Sequence, residues 1–202
     1  RLDCRSREFK YFPFNPKGYK LSLVNSKVKH ELAGSPYNDR RRSCDNVVKQ
    51  IASKYPETKF ETLIDCTLEQ LDSVKAEVSE EDYKRAHFVL GEKDRLLSVC
   101  NALEKGDYET VGKKMFETHN GLSKEYEVSC EELDFLNNIA REDSVTGSRI
   151  MGGGFGGCTI NLVKEDVYNK FVTDVTTKFA AKYGHAPEIY SVIVGKGAHK
   201  VC

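Results

Sequence analysis

The stretch GSRIMGGGFGGCTINLV, residues 147–163, holds five of the chain's 15 glycines between Gly152 and Gly157. TINLV (159–163) after the cluster reads as a strand, and SRIM (148–151) before it is counted as another. The glycines therefore join strand to strand, which decides what they are not. A dinucleotide fingerprint G-x-G-x-x-G must follow a strand and open a helix, and here a strand follows instead. A P-loop needs Gly-Lys-Ser/Thr after its glycines, and no lysine occurs until Lys164. A short hairpin needs fewer than five glycines around one phenylalanine. The cluster thus favours a ligand close against the main chain over turn geometry alone.

Working outward, YKLSLV (19–24) sets Tyr19, Leu21 and Leu23 on one side and Lys20, Ser22 and Val24 on the other, after a turn at Asn15 to Gly18. YFPF (11–14) is expected to pair as a hairpin, with Pro13 confining it to a sheet edge. Ser35 and Pro36 supply an N-cap and a first-turn proline for a helix from about Pro36 to Tyr55, along which Cys44, Val47, Val48, Ile51, Ala52 and Tyr55 recur at helical spacing. Capping boxes at Thr67 with Gln70 and at Ser129 with Glu132, and N-cap candidates Ser79 and Asp107, start further helices. The stripe after Ser79 runs Tyr83, Ala86, Leu90, Leu97, Cys100 and Leu103, and Gly106 ends it. Val111, Met115 and Leu122 mark the next helix, and Leu133, Leu136 and Ala140 the one after. Beyond the glycines, Val167, Phe171, Val175 and Phe179 give a helix, and EIYSVIV (188–194) gives a last strand. The order β, helices, β, β, α, β predicts an α+β fold: an antiparallel sheet of split-βαβ, ferredoxin-like order with an enlarged helical first crossover.

Composition narrows the function classes. With 202 residues and 39% hydrophobic content the chain can bury a real core. Its 31 basic and 31 acidic residues include no long block of either sign, which argues against a nucleic-acid partner. No apolar run approaches the roughly 18 residues of a membrane span, so no membrane partner is expected. Seven scattered cysteines without a C-x-x-C pair predict free, mostly buried thiols in a reducing cytoplasm and no metal site. Arg40, Arg41 and Arg42 read as a solvated helix surface, and His119 as a structural histidine near the stripe of Val111 and Met115.

Four ordered segments carry a resemblance. LDCRSREF (2–9), SPYNDRRRSC (35–44) and HNGLSKEYEVSCEELDFL (119–136) are each similar to galactokinase segments, and residues 147–163 resemble the third signature of the GHMP small-molecule kinases in its galactokinase form. The resemblance implies phosphorylation of α-D-galactose to galactose 1-phosphate, with ATP and Mg2+ and in the cytoplasm. It implies that residues 1–202 are the C-terminal domain, whose native partner surface is the N-terminal domain, absent from this chain. The family's sugar signature, phosphate loop and catalytic aspartate lie upstream of anything matching Arg1. No catalytic residue and no metal ligand is therefore assigned here, and the piece alone is expected to be inactive. Tyr37 matches the family tyrosine that hydrogen-bonds galactose, and the loop of Gly152, Gly153, Gly154, Phe155, Gly156 and Gly157 matches the segment lining the active-site cleft. On the residues alone Tyr37 reads first as a core aromatic sharing a helical face with Cys44, and the resemblance reverses that order. Met151 stands where galactokinases often carry a small hydroxyl residue. A GHMP kinase for another sugar, or a galactokinase-like sugar sensor regulating transcription, are the alternatives.

Overall fold

A computed structural model describes residues 1–29 and 36–195. Four strands form one sheet: β1 (Tyr19–Asn25), β2 (Gly147–Ile150), β3 (Cys158–Lys164) and β4 (Glu188–Val192). Their order is β2-β3-β1-β4, and every neighbouring pair is antiparallel. Strands β1 and β2 flank β3 and are joined by the long crossover α1 (Tyr37–Lys54), α2 (Leu68–Ser73), α3 (Glu80–Lys105), α4 (Tyr108–Lys124) and α5 (Glu131–Glu142), while α6 (Glu165–Tyr183) links β3 to β4. This is the predicted α+β, split-βαβ order with its enlarged first crossover.

Strand alternation sends successive side chains to two apolar layers. Val24 and Val163 pack against Leu136, Ile139 and Ala140 of α5 and Phe171, Val175 and Phe179 of α6. Each fully buried phenylalanine there contributes roughly 2–3 kcal/mol. Leu21 and Leu162 face the other way, onto Ala102, Val111 and Met115 of α3 and α4. A third cluster, away from the sheet, joins Val47 and Ile51 of α1 to Leu71, Ala86 and Leu90 of α2 and α3. Within the first layer runs a polar row: Ser148, Asn161 and Ser22 are in register across β2, β3 and β1, and all are fully buried. The Asn161 amide donates to Thr159 Oγ1 at 3.1 Å and to the Ser22 carbonyl at 3.2 Å.

Most predicted helix ends are present. Thr67 and Gln70 exchange side-chain and backbone hydrogen bonds, Ser79 Oγ accepts from the Asp82 amide, and Asp107 accepts from the Thr110 amide. Gly106, at φ +68°, ends α3 in the left-handed conformation. Helix α4 comes so close to β2 that a Cβ on Gly147 would lie 2.4 Å from the Gly112 Cα.

Other expectations are corrected. Pro36 occupies the N-cap of α1 rather than its first turn, and Ser35 lies outside the described residues. Residues 11–14 form no strand. Pro13 has no amide to donate, Phe14 packs edge-on against Tyr108, and the Asn15 amide donates to the Tyr108 hydroxyl, drawing the segment to the start of α4. An isolated bridge joins Leu2 to Phe9 instead. The N-cap of α5 is Cys130, one residue later than expected and without a side-chain cap, and the Ser129 hydroxyl instead donates to Asp134 Oδ1 at 2.6 Å. Leu97 is exposed, breaking the α3 stripe, and β4 stops at Val192, leaving Ile193 92% exposed. Arg41 and Arg42 reach solvent as expected, but Arg40 is only 7% exposed. The described thiols are free, yet only Cys66 and Cys100 are buried: Cys44, Cys130 and Cys158 are half-buried, Cys4 is exposed, and Cys202 lies outside the described residues. Among the described residues no helix is long and apolar enough to cross a membrane.

Candidate functional site

The glycine loop leaves β2 after Ile150 and enters β3 at Cys158, with the Met151 amide bonded to the Cys158 carbonyl at 2.9 Å. Between them the chain is wedged against three other segments. The Gly153 carbonyl accepts a 2.7 Å hydrogen bond from the Tyr37 hydroxyl, 116 residues away, and a Cβ at Gly153 would lie 2.4 Å from that oxygen. At Gly154 a Cβ would sit 2.1 Å from the Val128 carbonyl oxygen, which also accepts the Phe155 amide at 2.5 Å. At Gly156 the obstacle is the Val28 carbonyl at 2.7 Å, and the Gly157 amide donates to that same oxygen at 3.1 Å. Gly152 (φ +82°) and Gly157 (φ +79°) adopt left-handed angles, and among the described residues nothing lies within 4 Å of an added Cβ. Close approach to the backbone is thus real at Gly153, Gly154 and Gly156, and the approaching groups are protein atoms.

Tyr37 opens α1 half-buried, with its ring meeting the Phe155 ring edge-on at 5.4 Å. Its place at the helix start keeps it out of the cluster built on Val47 and Ile51, against which Cys44 packs. Burial raises the Tyr37 pKa above its ordinary value, and the charge of Arg40 only partly opposes this. The group is therefore a neutral phenol that can donate and accept hydrogen bonds, and not a proton abstractor.

From sequence, three residues near the loop carry no site role, and one of them, Arg40, reads as solvated surface. Arg40 lies one turn along α1 from Tyr37. Its Nε donates to the Tyr126 carbonyl at 3.0 Å, its Nη2 to Glu127 at 2.5 Å and its Nη1 to Pro36 at 3.1 Å, while its guanidinium sits 5.3 Å from the centre of the Phe155 ring. Arg85, also buried, donates to Ser43 at 3.0 Å and pairs with Glu81 and Glu127. Asp134, in the first turn of α5, accepts from Ser129 at 2.6 Å and Ser123 at 2.8 Å and meets His119 Nε2 at 3.1 Å. Burial alone would raise the Asp134 pKa, but the bonds from His119, Ser129 and Ser123 outweigh it and hold the carboxyl at about 2. The serines donate to Asp134 and not to His119, so these four residues show no nucleophile–base hydrogen bond. The only local signal for this arrangement is the density of hydrogen-bonding residues in 119–134.

Met151 is 47% exposed at the mouth of the loop. Among the described residues no group of three or more His, Cys, Asp or Glu converges on one point. An apolar groove of about 400 Å³, lined by Leu21, Val99, Leu162 and Met115 among others, lies on the sheet face toward α3 and α4 and shares no residue with the loop. The loop, with Tyr37 and Phe155 packed on it, is the candidate site.

Comparison with known proteins agrees with this architecture. The family model described as GHMP kinases C terminal matches residues 101–180. A galactokinase of Thermotoga petrophila is 35% identical over 201 residues, covering 99% of this chain and 54% of that protein. The galactokinase of Homo sapiens is 36% identical over 202 residues, covering 100% and 49%. The crystal structure of Lactococcus lactis galactokinase complexed with galactose superposes with a TM-score of 0.90 at 27% identity, over 99% of this chain and 51% of that one. The chain spans about half the length of the curated relatives it matches. Sheet order, glycine loop and similarity along the whole of this chain agree: the chain carries a GHMP kinase C-terminal domain that resembles the one in galactokinases.

Proposed function

We propose that residues 1–202 act as the C-terminal domain of a galactokinase and form one wall of its galactose site. The observation that carries this reading is the 2.7 Å hydrogen bond from Tyr37 to the Gly153 carbonyl. It joins two segments, far apart in sequence, that the resemblance had separately assigned to the sugar cleft. A neutral phenol fixed against a close-fitting loop can hold a sugar hydroxyl and limit water around it. The Lactococcus lactis structure, solved with galactose, supports the sugar class. On this reading the enzyme transfers the γ-phosphoryl of Mg-ATP to the anomeric hydroxyl, a reaction that depends largely on positioning and charge stabilisation. The present residues supply the positioning. Mg2+, the phosphate-binding groups and the catalytic carboxylate belong to the other domain, which is also the proposed occupant of the surface bearing exposed Leu2, Phe9 and Tyr11. Six unpaired cysteines among the described residues support a reducing, cytoplasmic setting.

The test is turnover by a full-length galactokinase carrying this chain as its C-terminal part, with galactose and N-acetylgalactosamine compared as substrates. Galactose-dependent ADP and galactose 1-phosphate are expected from that protein and from neither substrate with the 202-residue chain alone. Tyr37→Phe should raise the galactose KM about 2- to 12-fold, the equivalent of losing one hydrogen bond worth roughly 0.5–1.5 kcal/mol. Absence of galactose turnover, or an unchanged KM in Tyr37→Phe, would overturn the reading.

A further inference from the structure

We propose that Arg40 and Asp134 are positioning residues that together immobilise the α4–α5 connection, residues 125–130, so that its Val128 carbonyl sets the shape of the glycine loop and thereby the place of Tyr37. The part of this that concerns sugar rests on the galactose reading above; the mechanical part does not.

The connection is gripped from two sides. On the α1 side one guanidinium takes the adjacent carbonyls of Tyr126 and Glu127 together with that of Pro36. Only the planar fork of an arginine offers three such donors at once; a lysine ammonium at the end of a flexible stem cannot reproduce the arrangement. On the α5 side the Asp134 carboxylate holds Ser129, the next residue but one after Glu127, and ties it to Ser123 and His119 on α4. Between the two grips Glu127 is left-handed at φ +53°, a conformation that a non-glycine residue keeps only where its surroundings impose it. The turn leaves Val128 buried to 1% exposure, its amide bonded to the Leu122 carbonyl at 2.9 Å and its own carbonyl facing Gly154 and Phe155. Arg40 also touches the loop directly through the Phe155 ring, on whose edge Tyr37 packs. Buried Arg85 pairs with Glu127 on the same connection, so the second nearby cation is compensated by an acidic neighbour. The bonds to Tyr126, Glu127 and Ser129 bracket Val128 and the guanidinium–ring contact reaches Phe155, the two residues that hold the loop's centre, while the bond to Pro36 stays at the start of α1. A residue serving only to stabilise α1 would have no reason to reach them.

The test is amide hydrogen exchange, followed residue by residue on the chain itself, in Arg40→Lys and Ser129→Ala, with Arg41→Lys at the exposed neighbouring position as control. Arg40→Lys should speed exchange of the Phe155 amide at least tenfold relative to the parent, and Ser129→Ala about threefold. The β1–β3 ladder amides should stay within twofold in both variants, and Arg41→Lys should change nothing. Unchanged protection at Phe155, or a uniform rise at all amides, would overturn the proposal. If Arg40→Lys does not fold, Ser129→Ala decides by the same criterion. In the full-length enzyme Arg40→Lys should raise the galactose KM about tenfold with kcat within threefold. An unchanged KM alongside a loosened Phe155 would refute the link to Tyr37. Because the exchange arm involves no sugar, it is decided even if the galactose reading fails.

Discussion

Replacing Gly154 with alanine separates what the loop does for the fold from what it could do for a ligand. The added methyl would stand 2.1 Å from the Val128 carbonyl oxygen and 3.1 Å from its carbon, at a residue with φ +88°. Left-handed strain costs about 1 kcal/mol, loss of the Phe155–Val128 hydrogen bond about another, and the forced displacement of a packed backbone about 1–3. The total is roughly 3–5 kcal/mol. Gly152 and Gly106 share the left-handed angle, at φ +82° and +68°, but have no other described residue within 4 Å of an added Cβ, so alanine there should cost only about 1–2 kcal/mol. Urea unfolding of the three variants, followed by circular dichroism and fitted with a common slope, should place Gly154→Ala at least about 2 kcal/mol below the other two. If Gly154→Ala unfolds within about 0.5 kcal/mol of Gly152→Ala, the loop does not depend on Val128 as described. From sequence, Gly154 is the natural position for a kinetic test of ligand approach. The geometry moves that test to Gly152, where the methyl meets no atom of another described residue within 4 Å. In the full-length enzyme Gly152→Ala should lower kcat/KM for galactose by about tenfold or more, some 1.4 kcal/mol of transition-state stabilisation, while matching Gly106→Ala in stability.

The carboxyl of Asp134, held at about 2 against an ordinary 3.8, contributes stability that is fully present above pH about 4 and disappears as the pH falls through 2. The side chain is one-third exposed, so the expected contribution is about 1–2 kcal/mol after solvent screening. Asp134→Asn should therefore lose that amount at pH 7 and show a flatter acid limb between pH 4 and 2; an equal acid slope would refute the assignment. Native-state thiol labelling mapped by mass spectrometry should modify exposed Cys4 first, because burial pushes Cys44, Cys66 and Cys130 up to about 11; equal rates at Cys4 and Cys66 would contradict the packing. Gly112→Ala should destabilise by about 2–3 kcal/mol despite the better helix propensity of alanine, since its methyl would lie 2.1 Å from the Thr146 carbonyl oxygen. Gly91→Ala, whose nearest neighbour is the movable Arg95 guanidinium at 3.1 Å, should be neutral or stabilising by up to about 1 kcal/mol in the same unfolding assay.

Local chemistry was legible in the sequence wherever a feature depends on residues close in the chain. The capping bonds at Thr67, Ser79 and Asp107, the stop at Gly106 and the strand alternation of 19–24 each rest on neighbours within a few positions. The sheet order followed from counting strands and helices in sequence. What failed depends on partners far away. Ser129 looks like an N-cap, but its hydroxyl is turned to the Asp134 carboxylate, on which Ser123 and His119 of α4 also converge once α4 and α5 are packed. Arg40 looks like one of three equivalent surface arginines, and only the fold brings it the carbonyls of residues 126 and 127. YFPF has the composition of a strand, yet Tyr108, more than 90 residues later, supplies the partner that draws it off the sheet. In the candidate site, Tyr37 and the glycines were visible as separate clues, and their contact was not. Gly112 carried no visible signal, because its reason is the backbone of Gly147 pressed against it.

The polar row of Ser148, Asn161 and Ser22 has a consequence for how the strands find one another. Antiparallel strands that slip by two residues keep their inward and outward faces, so hydrophobic burial alone barely distinguishes the slipped from the native pairing. In the native alignment Asn161 faces Ser22 and reaches its carbonyl. Sliding β3 by two positions along β1 would set Asn161 against Val24 or Lys20, carry its amide away from that carbonyl, and break the line with Ser148 on β2. An amide misplaced in a layer sealed by α5 and α6 costs roughly 1–3 kcal/mol, enough to disfavour the slipped sheet about five- to 150-fold. The buried asparagine thus acts as an alignment key: it adds little to the depth of the native well but raises the neighbouring one, so the strand that leaves the glycine loop locks at one position along β1.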